Sequence, residues 1–360
     1  MGPRPRRRRR RPHGRRRAGA GCRRPRRGAR GVGVTGVVQD VGAAPWAGLA
    51  RFPLAVGPTP LVRAPRLEAA LGLGPTLVKR DDLLGFGVAG NKTRPLEFLI
   101  GAAVAQGARV FVTGGGPGSN FCAAAAMAAR AAGLACELHV WGDPRSANLA
   151  LATAAGATLV PTGGTVREQV DEQIATRVAQ LGDGAYGVPR GGSTPLGAVG
   201  FAAGAAELAA QLDALDVRPG LITLPVGSGG SVAGLMAGLA AVGLDIPVLG
   251  VSVSRPLEEI RAKVDDLAAG CAALLGTPAP DPAQLTMVDA RGPGFGSATD
   301  RERMHAREAL WAEGLLLDET YGAEAFSAVV DLVDRPEGPV LWWHTGGLLP
   351  ALGSILKGPA

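Results

Sequence analysis

From Leu96 onward the chain alternates short apolar runs with longer helical patterns, and glycine-rich loops join several of the pairs. Helix 95–106 is followed by a strand, Arg109–Thr113, and a helix from the loop Gly114–Gly118 through Ala132. Strand Cys136–Trp141, helix 146–155, strand Thr158–Pro161 and helix Val166–Leu181 continue the rhythm. Parallel strands need crossover connections, so this alternation predicts an α/β fold with parallel sheets flanked by helices.

Upstream, Gly57–Val62 reads as a turn into a short strand, followed by a helix from Arg66 to Leu71 and a strand at Thr76–Arg80. Downstream, Tyr186–Leu196 interrupts the pattern with glycine and proline. It resumes with helix 196–213, strand Leu221–Val226, loop Gly227–Ser231, helix 232–242 and strand Ile246–Ser254. Two helices, the loop Arg291–Ser297, a helix from Asp300 to Glu313, strand Pro339–Trp343 and a last helix complete the reading. The break near 196 divides the folded part into a larger domain, 49–94 with 197–360, and a smaller one, 95–196.

The net charge of +7 belongs to one end. Residues 1–30 hold 15 arginines and no acid, and the remainder carries eight more acids than bases. Residues 1–34 lack apolar periodicity, so they are expected to be disordered, with at most weak electrostatic binding of nucleic acid. No apolar run of about 18 residues is free of charge, so no membrane span is expected. The four cysteines are scattered without metal-ligand spacing, which predicts no metal, no disulfide framework and a cytoplasmic location.

Only four lysines occur: Lys79, Lys92, Lys263 and Lys357. Lys92 follows a glycine-rich stretch and opens a helix expected to be capped by Asn91 or Thr93, with Leu96, Leu99, Ile100 and Val104 buried. Beside the positive end of a helix its ammonium is disfavoured, which suits an amine nucleophile. Gly227-Ser-Gly-Gly-Ser231 lies between an apolar strand and a helix, where N–H groups and hydroxyls converge on an anion. Its spacing matches neither a dinucleotide fingerprint nor a nucleoside triphosphate loop, so one phosphate monoester fits better. Ser119 and Asn120 stand at another helix start and offer donors to a carboxylate or phenolate. The three features together describe a site for pyridoxal phosphate.

The motifs Lys79-Arg-Asp-Asp-Leu83, Gly90-Asn-Lys-Thr-Arg94, Gly118-Ser-Asn120, Gly191-Gly-Ser193, Gly227–Ser231, Leu317-Asp318 with Tyr321, and His344-Thr-Gly-Gly347 occur in order between about 51 and 358. In these the chain resembles the D-cysteine desulfhydrase and aminocyclopropane-carboxylate deaminase group, of tryptophan-synthase-β-like fold (fold type II). The resemblance implies that Lys92 bonds the cofactor and shuttles the α-proton. Asn120 would bond the cofactor ring oxygen, while Ser119 and the Asn120 and Phe121 amides hold the substrate carboxylate. Gly227, Ser228, Gly229, Gly230 and Ser231 would hold the phosphate, Thr345 the pyridine nitrogen, and Tyr321 would act on the substrate. A homodimer is also implied.

Four positions depart from the family pattern. Phe121 stands where His or Gln is common, and Phe295 where the family has a second active-site tyrosine. Glu319-Thr-Tyr321 replaces Pro-Val-Tyr, and Gly322 takes the place of a carboxylate in the deaminases. The expected reaction is α,β-elimination from a small amino acid, D-cysteine foremost, giving a keto acid, ammonia and sulfide. Ring opening of the cyclopropane amino acid, elimination from cysteate or a diamino acid, and a non-catalytic RNA-associated protein are the alternatives.

Overall fold

A computed structural model describes Gly2 and residues 44–164, 168–292, 294, 296–332 and 336–357. Both the 1–34 segment and Phe295 therefore lie outside the described residues, apart from Gly2.

The elements follow in chain order. Strand β1 (Leu61–Arg63), helix α1 (Pro65–Leu71) and β2 (Thr76–Arg80) precede α2 (Thr93–Ala105). Next come β3 (Val110–Gly115), α3 (Asn120–Ala131), β4 (Ala135–Val140), α4 (Ala147–Ala154), β5 (Thr158–Pro161), α5 (Glu168–Leu181) and β6 (Ala185–Gly187). Helix α6 (Pro195–Leu215), β7 (Leu221–Val226), α7 (Gly230–Ala241), β8 (Val248–Ser252), α8 (Leu257–Leu275) and β9 (Leu285–Asp289) follow. Helices α9 (Asp300–Glu313) and α10 (Gly322–Val330), β10 (Val340–His344) and α11 (Leu348–Lys357) close the chain.

The strands form two sheets. One has the order β1-β2-β10-β7-β8-β9, the other β5-β4-β3-β6. Every pairing is parallel except β1 with β2, as the alternating sequence pattern requires. Strand β10 is buried along its whole length, consistent with a central position covered on both faces. The last strand in the sequence thus sits between one of the first and β7.

Local chemistry explains several boundaries. Thr194 caps α6 by accepting from the Gly197 N–H, with Pro195 in its first turn. Thr299 and Glu302 form a reciprocal capping box at α9, and Gly314 ends that helix in the left-handed conformation. Three expectations fail. Neither Asn91 nor Thr93 caps α2: Lys92 holds the capping position, without a side-chain bond. Val104 is 44% exposed, because the last two positions of α2, Val104 and Ala105, face outward. After β8 there is one long helix rather than two, and then strand β9.

A buried charge network anchors the start of α2. The Arg94 guanidinium donates to Asp81 Oδ1 and Oδ2 at 2.7 Å each and to Glu207 Oε2 at 3.1 Å. Its plane lies 5.9 Å from the Trp343 ring centroid and 6.0 Å from that of Phe201. Lys79, fully buried, donates to the Thr59 carbonyl at 2.8 Å, to Gln211 at 2.7 Å and to Glu207. Strand β2, helix α6 and the residue two positions after Lys92 are thereby fixed together. Among the described residues no helix is long and apolar enough to cross a membrane.

Candidate active site

A cavity of about 630 Å³ lies between the carboxyl ends of strands from both sheets, within the usual size for small-ligand sites. Its lining includes Lys92, Ser119, Asn120, Phe121, Gly227 to Ser231, Tyr321 and Thr345. These sequence-predicted residues come from six different strand- or helix-ends and meet in one space. Phe295 cannot be placed with them, since it is outside the described residues.

Lys92 enters the cavity from the short 3₁₀ turn Gly90–Lys92. The Asn91 N–H donates to the Thr345 carbonyl at 2.9 Å, tying this turn to the end of β10. The Asn91 amide also donates to Ser231 Oγ at 3.2 Å, so the lysine turn touches the glycine loop as well. The Lys92 side chain forms no hydrogen bond or ion pair among the described residues, and burial lowers its pKa to about 8. Desolvation, rather than the helix end invoked from sequence, is the leading cause. Lys79 is committed to structure, whereas Lys92 is left available for chemistry.

Opposite, Ser119 caps α3 by accepting from the Cys122 N–H at 3.2 Å. The N–H groups of a first helical turn have no partner within their helix, so those of Asn120 and Phe121 suit a carboxylate. The Asn120 Oδ1 accepts from Asn148 at 3.2 Å, which leaves its NH₂ to donate into the cavity. Asn148, on α4, is a positioning residue absent from the sequence reading. The Phe121 ring is only 1% exposed and packs in the core, so what Phe121 offers a substrate is its main chain.

The glycine loop runs from the end of β7 into the first turn of α7. Gly229 has φ +92°, and a Cβ on Gly230 would lie 3.0 Å from Ser193 Oγ, so both positions favour glycine. Ser193 is bonded to Ser228 at 2.6 Å. A helix N-terminus carries about half a positive charge, and this one also offers Ser228 and Ser231 hydroxyls to a phosphate. The cavity, the available lysine and this cradle fit pyridoxal phosphate: Lys92 would bond it, the Gly227–Ser231 loop would hold its phosphate and Asn120 its ring oxygen.

Thr345 and Tyr321 border the cavity from the other end. Asp318, beside Gly347, also lines it; the motif contained this residue, but no role was assigned to it. It accepts N–H bonds from Thr320 and Tyr321 at 3.2 Å each and from Gly322 at 3.1 Å. Burial still pushes its carboxyl up to about 6. The Tyr321 phenol is raised well above its usual range by burial and then by Asp318 and Glu324, so it stays protonated. At the cavity wall Arg190 pairs with Asp171 at 2.8 Å and lies 5.9 Å above the Trp141 ring. None of these three was legible as a site residue. Among the described residues no group of three or more His, Cys, Asp or Glu could hold a metal.

The family model described as pyridoxal-phosphate dependent enzyme matches residues 52–346. A Pyrococcus abyssi protein bearing the provisional name 1-aminocyclopropane-1-carboxylate deaminase is 34% identical over 309 residues, 83% of this chain and 93% of its own. D-cysteine desulfhydrase of Salmonella newport is 33% identical over 320 residues, 84% of this chain and 96% of the enzyme. A solved structure titled as an ACC deaminase homologue superposes with a TM-score of 0.80 at 30% identity, covering 87% of this chain and 97% of that one. With two largely parallel sheets and, at their cavity, a lysine whose side chain has no partner among the described residues facing a glycine-rich helix start, the chain belongs to the pyridoxal-phosphate dependent enzymes of fold type II.

Proposed function

We propose that this enzyme is a carbon–sulfur lyase converting D-cysteine, or a small amino acid with a comparable β-leaving group, into a keto acid, ammonia and sulfide. Pyridoxal phosphate, when bound, supplies an electron sink for the α-carbon of the amino acid. Everything else falls to the side chains. The Ser119 hydroxyl and the Asn120 and Phe121 N–H groups hold the substrate carboxylate. Lys92, with a pKa near 8, is partly neutral at neutral pH and takes the α-proton. Tyr321 stays protonated and donates its proton to the departing sulfur. The Cβ–S bond breaks with its electron pair on sulfur, and water replaces the nitrogen to give the keto acid and ammonia.

The observation that carries the choice of substrate is the state of Asp318. Its carboxylate lies beside Gly347, two residues after Thr345, and is committed to three backbone N–H groups. Thr345, which lines the cavity, would therefore meet the pyridine nitrogen as a neutral hydroxyl, which would make the sink a weak one. Expulsion of a thiolate, whose conjugate acid has a pKa of about 8.5, asks less of the sink than opening a carbon–carbon bond. Sulfide and keto acid from D-cysteine are to be measured against 2-ketobutyrate from 1-aminocyclopropane-1-carboxylate on one preparation. Faster elimination is expected, and faster ring opening sinks the assignment.

The same reading takes the two sheets as the cores of two domains, with 95–196 as the smaller and 49–94 and 197–360 as the larger. It places the enzyme in the cytoplasm as a homodimer. The free thiols of Cys122, Cys136 and Cys271 support a reducing compartment. Exposed Ile355 and Leu356 on α11 support a subunit contact.

A further inference from the structure

Besides Lys92, the cavity is lined by three cations: Arg190, Arg255 and Lys263. Arg190 is committed to Asp171 at 2.8 Å, and Arg255 is paired with Glu259. Lys263 is half-buried on α8 and forms no hydrogen bond or ion pair among the described residues. Burial and the neighbouring Arg255 push its ammonium below the usual value, and Asp171 and Glu259, each already paired with an arginine, offset only part of that cost.

Its position says what it serves. Helix α8 lies against the glycine loop: a Cβ on Gly229 would stand 3.1 Å from Val264 Cγ2 and 3.4 Å from Ile260 Cδ1, the residues flanking Lys263 on that helix face. From the other side, Ser193 reaches the loop through its bond to Ser228. The loop itself carries no charged side chain. A phosphate monoester brings a charge of about −1.5 to −2 at neutral pH, and a helix N-terminus supplies only about +0.5. Roughly one positive charge is missing at the cradle.

We propose that Lys263 is the counter-cation of the cofactor's phosphate, reaching it from α8 across the Gly227–Ser231 loop. This rests on the reading that the loop holds the phosphate. The geometry is that of a cation supplied from outside the cradle, on an element that the loop's glycines allow to approach closely. Lys263 is thus a cofactor-binding residue, separated in sequence and in role from Lys92, which bonds the aldehyde end.

The test is titration of cofactor-free protein with pyridoxal phosphate and, separately, with pyridoxal, which has the aldehyde but no phosphate. The readout is the visible absorption of the lysine-bound cofactor, for wild type, Lys263→Met, Lys263→Arg and Ser231→Asp. A charge-assisted contact predicts that Lys263→Met raises the Kd for pyridoxal phosphate roughly tenfold or more, leaves pyridoxal unchanged, and is largely rescued by Lys263→Arg. Unchanged pyridoxal phosphate affinity in Lys263→Met, or equal losses for both compounds, overturns the proposal. If Ser231→Asp weakens pyridoxal phosphate binding while Lys263→Met does not, the loop reading stands and the lysine assignment falls. If neither variant weakens it, both fall. Lys263→Gln takes the place of Lys263→Met if the latter does not fold, with the same outcomes.

Discussion

Keeping Lys92 unpaired in the cavity carries a stability cost with a definite pH signature. In cofactor-free protein its pKa falls from the ordinary 10.5 to about 8 through burial, which corresponds to about 3 kcal/mol between the two protonation states. The depressed value means that the folded state resists protonation. The penalty is therefore full below pH 8, shrinks as pH rises from 8, and is gone by about 10.5. Lys92→Met removes the charge and keeps the apolar stem. At pH 6 the cofactor-free variant should be more stable than cofactor-free wild type by up to about 3 kcal/mol, with the advantage vanishing near pH 10.5. Urea denaturation of both proteins at pH 6, 8 and 10 measures this directly. Other titrating groups, Glu324 among them, are common to both proteins and cancel in the difference. The same variant should lose turnover and the absorption of the lysine-bound cofactor. A stability difference that does not change between pH 6 and 10 would refute the assignment of a buried, uncompensated ammonium.

Removing Arg94 leaves Asp81, with no exposed surface, as an unpaired buried carboxylate. Arg94→Met should therefore cost about 3–5 kcal/mol in urea unfolding, and a loss below about 1 kcal/mol would show that the network contributes little. Glu324 is 1% exposed with neither carboxyl oxygen bonded, and burial followed by Glu302 and Asp318 pushes its pKa up to about 9. The folded state then holds a proton that the unfolded chain releases, so folding weakens as pH climbs between 4.5 and about 9. Glu324→Gln should flatten that decline, gaining on wild type at pH 8 relative to pH 5; parallel melting curves across this range would contradict it.

Local signals carried much of the architecture. The helix Asp300–Glu313 was readable to the residue because its capping box and its terminal glycine are adjacent in sequence. Strand β9 was not, since only Leu285 of its five residues is fully buried and its apolar pattern is thin. Helix α10 begins at a glycine without a side-chain cap and escaped for the same kind of reason. Within the site, Lys92 and the Gly227–Ser231 loop were legible because each is one continuous stretch. Asn148 acts on Asn120 from 28 residues away, and Asp171 on Arg190 from 19, so their roles exist only once α3, α4 and α5 are packed. Asp318 stood in a recognised motif, but its commitment to three N–H groups is a property of the turn into α10, not of the residue type.

The central place of β10 has a consequence for how the chain comes into being. Strands β1 and β2 meet the rest of their sheet only through β10, which pairs with β2 from Val340 to His344, and the Lys92 turn is secured to Thr345 just beyond. A ribosome delivers β2 and Lys92 more than 240 residues before the strand that must slot beside them. Until then β2 and β7 each present an open edge, the kind of surface that invites mispairing with other chains. A nascent chain released before Val340 would own nearly every residue of the cofactor site and still be unable to close it.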